Sequence, residues 1–467
     1  MSHHPIVFSR LAAALASATL LLLSVYLILM PAAAVAYDDQ QPGTRASRPT
    51  APVDGTIVYT AFLPLVNRSQ PTVITEFRGL WVTRFDWTFF GRPVTAADLD
   101  LIVANAASAN FNALLFQVRG TADAYYPSTL EPWAARLTGA TTATLGVDPG
   151  WDPLAYLITR AHAGGLQAHA YLNVFPTWLC GFGAPPSDTT PPHLFWTLSY
   201  STTWSAWRVH DVNRQPANLV TCGDYLWATP ALSLTRDHIA AVAADIVRRY
   251  DVDGLHLDLI RYPGSGYSYD PYTLQAYTDV LQITPTLTLT AWRPGFQRAQ
   301  IDALVAQVYS VVMSIKPEVL VSAAVWPNYS DGYAGFYQDS KGWLAGGLID
   351  ANLPMLYAGD ILNDLAAWTD RARGFIEDAH GRWVIPGLSG AYDNFAELAD
   401  RIERQVAALR VQGKTASAVS KRPLCPACGR AFQPGDQFCG RCGTPHPHVC
   451  PQCGERHRPG DNFCPHC

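Results

Sequence analysis

The sequence predicts an α/β protein, with a (β/α)8 barrel followed by a small metal-binding domain. Two observations predict this architecture. Between residues 77 and 413, short apolar runs alternate with amphipathic helical stretches, as is typical of βα units around a parallel sheet. Eight of the ten cysteines lie between Cys425 and Cys467, at the spacing of metal ligands.

The composition fits one large folded core. The chain has 467 residues, of which 49% are hydrophobic and 11% aromatic, and this excludes a disordered or collagen-like protein. The net charge of −5 gives no overall attraction to nucleic acid or to anionic lipid. We therefore expect no nucleic-acid partner.

The N-terminus carries an uncharged segment that follows Arg10 and extends over residues 11–36. The triplet at 34–36 fits a signal-peptide cleavage site, whereas the apolar run 11–30 is also long enough to span a bilayer. Residues 1–36 are thus a signal peptide or a membrane anchor, and a secreted or membrane-anchored, extracytoplasmic protein is expected. Residues 37–73 are predicted to be a linker, in which the apolar patch 57–66 is a candidate extra strand of the next domain.

The barrel is predicted over residues 74–415. Its candidate strands lie at 79–85, 113–118, 167–174, 254–260, 319–326, 351–357 and 383–388. Asp152 and Pro153 predict a helix start, and Gly164 follows the end of the same helix. An eighth strand should follow the helix at 395–411, but residues 413–420 are small and polar, so a truncated or replaced strand is expected. An open doubly wound sheet is the alternative, although no G-x-G-x-x-G follows the first strand.

Polar residues recur with a period of two on three of these strands. The alternation puts His256 and Asp258 on one face of the fourth strand, and it does the same for Gln117 and Arg119 of the second. On the third strand, Gln167, His169, Tyr171 and Asn173 share one face. Because the carboxyl ends of barrel strands carry the chemistry, these side chains predict a polar cup for a hydroxylated ligand. A buried hydrogen-bonded layer that closes the barrel is the alternative.

Six sequence motifs, the second of them in two parts (116–119 and 123–126), follow one another at barrel-like spacing. They read FRGLWVT at 77–83, FQVR at 116–119, DAYY at 123–126, GLQAHAYLN at 165–173, YDVDGLHLDLIRYP at 250–263, YQDSKGW at 337–343 and DANLPMLY at 350–357. Over residues 75–410 they resemble the glycosyl hydrolase-like 10 family of TIM-barrel proteins. The resemblance implies a secreted or envelope-bound hydrolase of polysaccharide, with peptide-free glycan strands of peptidoglycan as one possible substrate.

The motifs and inward faces together supply the candidate substrate-binding residues. These are Arg78, Trp81, Gln117, Arg119, Asp123, Tyr126, His169, Asn173, His256, Arg261, Tyr262, Trp326 and Tyr357.

Cleavage of a glycosidic bond needs two carboxyl groups. Asp258 ends the fourth strand, and Arg261 and Tyr262 on the following loop would keep it ionised, so it is the candidate nucleophile or base. Asp339 is the favoured general acid, and its rivals are Asp86, Asp123, Glu131 and Asp360. No cofactor is expected for catalysis. Asp253 precedes its strand and is expected to be structural, and His162 is expected to pack or to cap a helix.

Residues 176–230 form an expanded loop that contains five tryptophans: Trp178, Trp196, Trp204, Trp207 and Trp227. Aromatic rings stack on the apolar faces of sugars, so the loop is either a glycan platform or a lid with its own small core. Outside the cytoplasm, Cys180 and Cys222 in this loop are expected to form a disulfide.

The tail at 424–467 repeats one metal-binding pattern twice. Two C-x2-C pairs separated by ten residues supply four thiolates in each repeat, as tetrahedral zinc requires. The predicted ligands of two structural zinc ions are Cys425, Cys428, Cys439 and Cys442, and then Cys450, Cys453, Cys464 and Cys467. The tail resembles the double zinc ribbon family, and a protein or wall polymer is its expected partner. A non-catalytic glycan-binding barrel with a partner-recruiting tail, and a cytoplasm-facing zinc protein, are the alternative functions.

Overall fold

The computed structural model describes residues 60–62, 76–220, 222–357, 364–389 and 395–411. Within these ranges the strands are β1 (Thr60–Phe62), β2 (Gly79–Val82), β3 (Ala113–Arg119), β4 (Gln167–Asn173), β5 (Pro176–Leu179), β6 (Tyr225–Trp227), β7 (Gly254–Asp258), β8 (Leu320–Val325), β9 (Ala351–Pro354), β10 (Trp383–Val384) and β11 (Gly387–Ser389). The α-helices are α1 (Arg84–Trp87), α2 (Ala96–Ser108), α3 (Pro153–Ala163), α4 (Leu194–Ser201), α5 (Ser233–Arg249), α6 (Pro271–Leu281), α7 (Leu289–Ile315), α8 (Tyr329–Gly335), α9 (Ser340–Gly346), α10 (Leu365–Glu377) and α11 (Phe395–Val411).

One nine-stranded sheet organises the molecule, in the order β10-β9-β8-β7-β4-β3-β2-β1-β11. The strands from β10 to β2 pair in parallel, and helices connect them along the chain. Each of the seven segments that the sequence predicts as strands contains one of these parallel strands, and the last segment also contains part of β11. The sequence therefore predicts the α/β class and the strand positions correctly.

The sheet is curled rather than flat. In the sheet order Trp81 on β2 lies three strands from His256 on β7, about 14 Å away in a flat sheet. Yet the indole Nε1 of Trp81 donates a hydrogen bond to His256 Nε2 at 3.0 Å. The Trp81 ring also lies 6.1 Å from the ring of Tyr357, which follows β9 at the far side of the sheet. The inward side chains of distant strands thus meet inside the curl.

β1 provides the extra strand that the apolar patch 57–66 suggests. It pairs antiparallel with both β2 and β11. Only Ile385 and Pro386 separate β10 from β11, so the chain itself links the two ends of the hydrogen-bonded ladder. The eighth parallel strand, expected after α11, lies outside the described residues. The regular eightfold repeat therefore stays a prediction.

Local sequence explains where the helices begin and end. The Asp152 side chain accepts a hydrogen bond from the backbone N–H of Ala155, Pro153 is the first residue of α3, and Gly164 caps its end. In α5, Ile239, Val242 and Ile246 face the core and are fully buried. No helix in the described ranges has the length and hydrophobicity needed to cross a bilayer, and the predicted export segment lies outside those ranges.

The expanded loop folds around its own small core. β5 and β6 pair antiparallel, and Trp178, Phe195 and Trp207 are buried together between this hairpin and α4. Cys180 and Cys222 form a disulfide. Trp178 and Trp207 therefore belong to the core of a folded lid and are not exposed to a ligand. Trp204, in contrast, is 53% exposed.

Candidate active site

The site lies at the carboxyl ends of the parallel strands, where inward side chains form successive layers. Tyr171 on β4 is in register with His256 on β7, and one step further along the strands Asn173 is in register with Asp258. Because side chains alternate along a strand, all four point to the inside of the curled sheet. The sequence predicts this grouping, and the structure brings these four residues together.

The lower layer is a closed hydrogen-bond chain. His256 Nε2 accepts the indole N–H of Trp81 at 3.0 Å, and His256 Nδ1 lies 2.9 Å from Ser322 Oγ on β8. Burial lowers the pKa of His256 well below its usual range, with nearby His169 as a smaller cause. A neutral imidazole that accepts at Nε2 carries its proton on Nδ1, so it donates to Ser322. His256 thus fixes Trp81 rather than assisting Asp258 directly.

Asp258 lies above this layer, and both of its oxygens are held. Oδ2 accepts the phenol O–H of Tyr171 at 2.6 Å, and Oδ1 accepts the backbone N–H of Leu259 at 2.6 Å. Burial and the charge of Asp258 raise the pKa of Tyr171, so the phenol stays protonated and donates. The Asp258 side chain is 20% exposed, which leaves its carboxylate open to a ligand.

Arg261 forms only a long ion pair with Asp258. Its Nη1 lies 3.9 Å from Asp258 Oδ1, and the guanidinium lies 5.4 Å from the ring centre of Trp326. Trp326 in turn stacks on Phe336 at 3.8 Å. Nε and Nη1 of Arg261 are buried and have no hydrogen-bond acceptor among the described residues. Arg261 thus places beside Asp258 two buried donors whose lost hydration no acceptor in the described residues offsets.

Two further residues complete the surroundings of Asp258. Tyr357 lies near Asp258. Burial raises the pKa of its phenol, and the charge of Asp258 raises it further. Asn173 is buried, and its Oδ1 has no hydrogen-bond donor within the ranges that the structure describes. Unsatisfied buried polar atoms are costly, and their presence beside one carboxylate is typical of a ligand site.

A second carboxyl group lies at the end of β2. Leu80 and Val82 face the outer core and Trp81 the inner cluster, so the alternation puts Thr83 on the inner side. Asp86 Oδ2 accepts the backbone N–H of Thr83 at 2.7 Å and its hydroxyl at 2.8 Å. Burial raises the pKa of Asp86 to about 6, although these two hydrogen bonds lower it. The sequence offers Asp86 only as one of several candidate general acids, because the burial that raises its pKa is not visible in the sequence.

Asp123 is held at the neighbouring strand end. Its Oδ1 accepts the backbone N–H of Thr121 at 2.6 Å, and burial raises its pKa while Arg84 and Arg119 lower it. Arg84 also donates its backbone N–H to Gln117 Oε1 at 2.8 Å. Asp123 thus has cationic neighbours, in contrast to Asp86.

The sequence predicts that Arg119 points into the cup, but the structure directs it elsewhere. The register of β3 shifts between Gln117 and Arg119, and this irregularity ends the period of two. The Arg119 guanidinium instead binds Glu131 at 2.7 Å, with both side chains fully buried. Glu131, a rival general acid in the sequence, is therefore a structural partner, and His238 contacts it at 2.9 Å.

Four other predicted substrate-binding residues lie elsewhere. Arg78 precedes β2 at the opposite end of the sheet and bonds the backbone carbonyl of Asn110 there. The other three are fully or almost fully buried: Tyr126 packs on Tyr250, Tyr262 packs on Tyr337, and His169 packs on Phe77 in a layer below Tyr171.

Asp339, the favoured general acid, caps a helix. Its Oδ1 accepts the backbone N–H of Gly342 at 3.0 Å, at the start of α9. It also lies near Asp302 on α7, whose pKa it raises as a smaller cause beside burial. None of its contacts within the described residues joins it to Asp258. Two residues with expected structural roles, Asp253 and His162, pair with each other at 2.8 Å.

The metal-binding pattern of the tail lies outside the described residues, as does Asp360. In the part of the chain that the structure describes, no group of three or more His, Cys, Asp or Glu side chains is arranged to hold a metal ion.

Two family models match the chain. Residues 76–376 match the family model described as Glycosyl hydrolase-like 10. The chain belongs to this family. Residues 425–467 match the model described as Double zinc ribbon, so the donor set of the tail suits zinc.

Relatives of the family are similar at low identity. Glycosyl hydrolase YngK of Bacillus subtilis is 26% identical over 332 residues, which cover 65% of this chain and 57% of YngK. Glycosyl hydrolase DigH of Escherichia coli O6:H1 is 27% identical over 336 residues, covering 62% of this chain and 68% of DigH. Among solved structures, the PgaB (BpsB) glycoside hydrolase domain from Bordetella bronchiseptica gives a TM-score of 0.44 at 14% identity, covering 64% of this chain and 79% of that domain.

Proposed function

We propose that the protein hydrolyses glycosidic bonds in a polysaccharide of the cell envelope, with peptide-free glycan strands of peptidoglycan as the substrate. Membership of a glycosyl hydrolase-like family supports glycan hydrolysis in general. The observation that carries the proposal is the arrangement at Asp258. One partly exposed carboxylate is oriented by Tyr171 and lies beside Arg261, whose donors lack acceptors among the described residues.

In this proposal Asp258 is the carboxylate that attacks the anomeric carbon or activates a water for that attack. Tyr171 orients this carboxylate. The negative charge of Asp258 stabilises the positive charge that develops on the sugar ring. Asn173 Oδ1 accepts a sugar hydroxyl, and Nε and Nη1 of Arg261 donate to sugar hydroxyl or carboxylate oxygens. Trp326 and Tyr357 provide the aromatic walls.

Asp86 is the proton donor in this proposal, in place of Asp339. The carboxyl O–H protonates the leaving oxygen while the bond from that oxygen to the anomeric carbon breaks. A pKa of about 6 keeps a useful fraction of Asp86 protonated near neutral pH, and the groups that lower its pKa are only the N–H and O–H of Thr83. Both carboxyls take part in helix caps, Asp86 in the capping box of α1 and Asp339 at the start of α9, so the raised pKa and the place at the end of β2 are what favour Asp86.

The decisive experiment compares Asp258→Asn with the native chain on purified glycan strands. New reducing ends should appear with the native protein and fall at least about a thousandfold with Asp258→Asn, because the reacting carboxylate is gone. Asp251→Asn is the control, since Asp251 is exposed just before the same strand. Undiminished turnover by Asp258→Asn would contradict the assignment. Retention of strands with no reducing ends from the native protein would favour the binding barrel.

We further propose an extracytoplasmic location, through the uncharged segment at 11–36. The disulfide between Cys180 and Cys222 supports it, because such bonds persist in oxidising compartments. Protease added to intact cells should degrade the barrel, and full protection would contradict this location.

The tail is proposed to bind two zinc ions and to contact a protein or wall polymer. Four thiolates in each repeat match tetrahedral zinc, and a segment this small needs the metal in order to fold. Metal analysis should give two zinc ions per chain, and removal by a chelator should unfold the tail while the barrel stays folded.

A further inference from the structure

An exposed aromatic cluster lies on the expanded loop, apart from Asp258. It consists of Trp196 and Tyr200 on α4 and of Trp204 just after that helix, and we call it the aromatic platform. Tyr200 is 71% exposed and Trp204 is 53% exposed. The Trp196 ring stacks on Tyr200 at 5.7 Å, with 24° between the planes, and lies 5.7 Å from Trp204.

One ring of the platform, that of Trp196, is held in place from behind. Trp196 Nε1 lies 3.0 Å from the carbonyl oxygens of both Pro185 and Pro186, to which it donates. Phe195, which is fully buried in the core of the loop, packs edge-on against Trp196 at 5.0 Å. Rings that are already ordered lose little conformational entropy when a ligand binds. Exposed aromatic rings with such support are typical of a binding surface rather than of incidental exposure.

The composition around the platform suits a sugar. Residues 194–207 read LFWTLSYSTTWSAW and include no charged residue. The residues between the rings carry hydroxyl groups, at Ser201, Thr202 and Thr203. A neutral surface of flat rings and hydroxyls matches a pyranose, which has one apolar face and a rim of hydroxyl groups.

The loop leaves the sheet at the end that carries Asp258. β5 begins three residues after Asn173, the last residue of β4, and Tyr225 on β6 accepts a hydrogen bond from Arg84 Nη2 at 2.9 Å at the end of β2. A polymer bound on this loop is therefore held on the side of the molecule at which the proposed cleavage occurs.

We propose that the aromatic platform is a second carbohydrate-binding site, which stacks on neutral pyranose rings of a polysaccharide. It is separate from the proposed catalytic residues and holds an insoluble polymer on the enzyme. It extends the proposed function but does not depend on hydrolysis, because binding is measured independently of turnover.

The test uses the full chain and three insoluble or polymeric probes: chitin, cellulose and purified peptide-free glycan strands. The double variant Tyr200→Ala, Trp204→Ala should lose about tenfold in affinity for at least one of them, because two stacking rings are removed. Phe182→Ala is the matched control, since Phe182 is 53% exposed on the same loop but outside the platform, and it should bind as the native chain does. Thermal unfolding and near-ultraviolet circular dichroism check that each variant is folded.

The outcomes separate the two proposals. Hydrolysis of short soluble oligosaccharides by the double variant should equal that of the native chain, while action on the insoluble polymer falls. Unchanged binding of all three probes by the folded double variant would overturn the platform even where hydrolysis is observed. So would a dimer in solution that the double variant abolishes with no change in polysaccharide binding. If Asp258→Asn leaves turnover intact but the double variant loses binding, the catalytic proposal fails and the platform stands.

Discussion

Two arginine–carboxylate pairs lie at the carboxyl ends of β3 and β7, the strands on either side of β4, and they differ in burial, in distance and in the number of their hydrogen bonds. Arg119 and Glu131 are both fully buried and meet at 2.7 Å, and Arg119 also bonds the carbonyl oxygens of Asn173 and Val174. Arg261 and Asp258 stand 3.9 Å apart, Asp258 is 20% exposed, and two guanidinium nitrogens of Arg261 lack acceptors among the described residues.

The first pair is saturated and the second is not, which separates a structural role from a chemical one. A buried charge needs a close partner to offset its lost hydration, and Arg119 has several. Arg261 has its hydration removed without full replacement, and such a group becomes satisfied when a polar ligand arrives. Sequence motifs contain both arginines, so only the completeness of their contacts distinguishes them.

The largest effect on stability should come from breaking the saturated pair. Burial by itself raises the pKa of Glu131, but Arg119 and His238 outweigh it and lower that pKa to about 2. Glu131→Gln leaves Arg119 buried without its counterion, and we expect a loss of about 3–5 kcal/mol in the free energy of unfolding by denaturant titration. Because the pKa is lowered on folding, the contribution of Glu131 is present above pH 4.5 and is lost as the pH falls toward 2.

Asp258→Asn provides the contrast within the same measurement. Its partly exposed carboxylate has no tight ion pair, so the free energy of unfolding should change by less than about 1 kcal/mol. Equal destabilisation by the two variants would remove the distinction between the pairs.

A smaller but diagnostic effect is expected from Asp86, the proposed proton donor. Asp86→Asn should lower kcat/KM by about a hundredfold and abolish the alkaline limb of its pH profile near pH 6, because the donor must be protonated. Asp302→Asn is the matched control: burial also raises the pKa of Asp302 to about 6, but this residue lies on α7 and accepts the indole N–H of Trp343 from α9. The limb should persist in the control, and its loss there would point to a general stability effect.

Asp86 and Asp302 should affect the pH dependence of the free energy of unfolding in the same way. A carboxyl whose pKa is raised on folding destabilises the protein as the pH rises from about 4 to about 6, so both asparagine variants should show a flatter curve in that window.

The smallest effect tests two tyrosines that each donate to an aspartate. Tyr171→Phe removes the donor at 2.6 Å from Asp258 and should lower kcat/KM about tenfold, with little change in stability. Tyr309→Phe removes the donor at 2.9 Å from Asp350, which is already paired with Arg382 at 2.8 Å. It should lower the melting temperature and leave kcat/KM unchanged, and a reversed pattern would contradict the comparison of saturated and unsaturated pairs.

The sequence predicted the strands well because their signal is local. Apolar runs, glycine and proline boundaries and a period of two are written in neighbouring residues, and they located all seven parallel strands as well as the shared face of His256 and Asp258. The proposed general acid is harder to identify from the sequence. The burial that raises the pKa of Asp86 depends on elements that are distant in the chain. The capping that engages Asp339 depends on the residue at which α9 begins.

What the sequence determined by itself is the set of elements, the family and the chemical types available at the strand ends, because each of these follows from short-range patterns. What only the tertiary structure decided is which polar groups find partners. The register shift in β3 turned Arg119 to Glu131, and the curl of the sheet brought Trp81 to His256 across three strands. Satisfaction of a buried charge depends on atoms from many segments at once, so no pattern along the chain can report it.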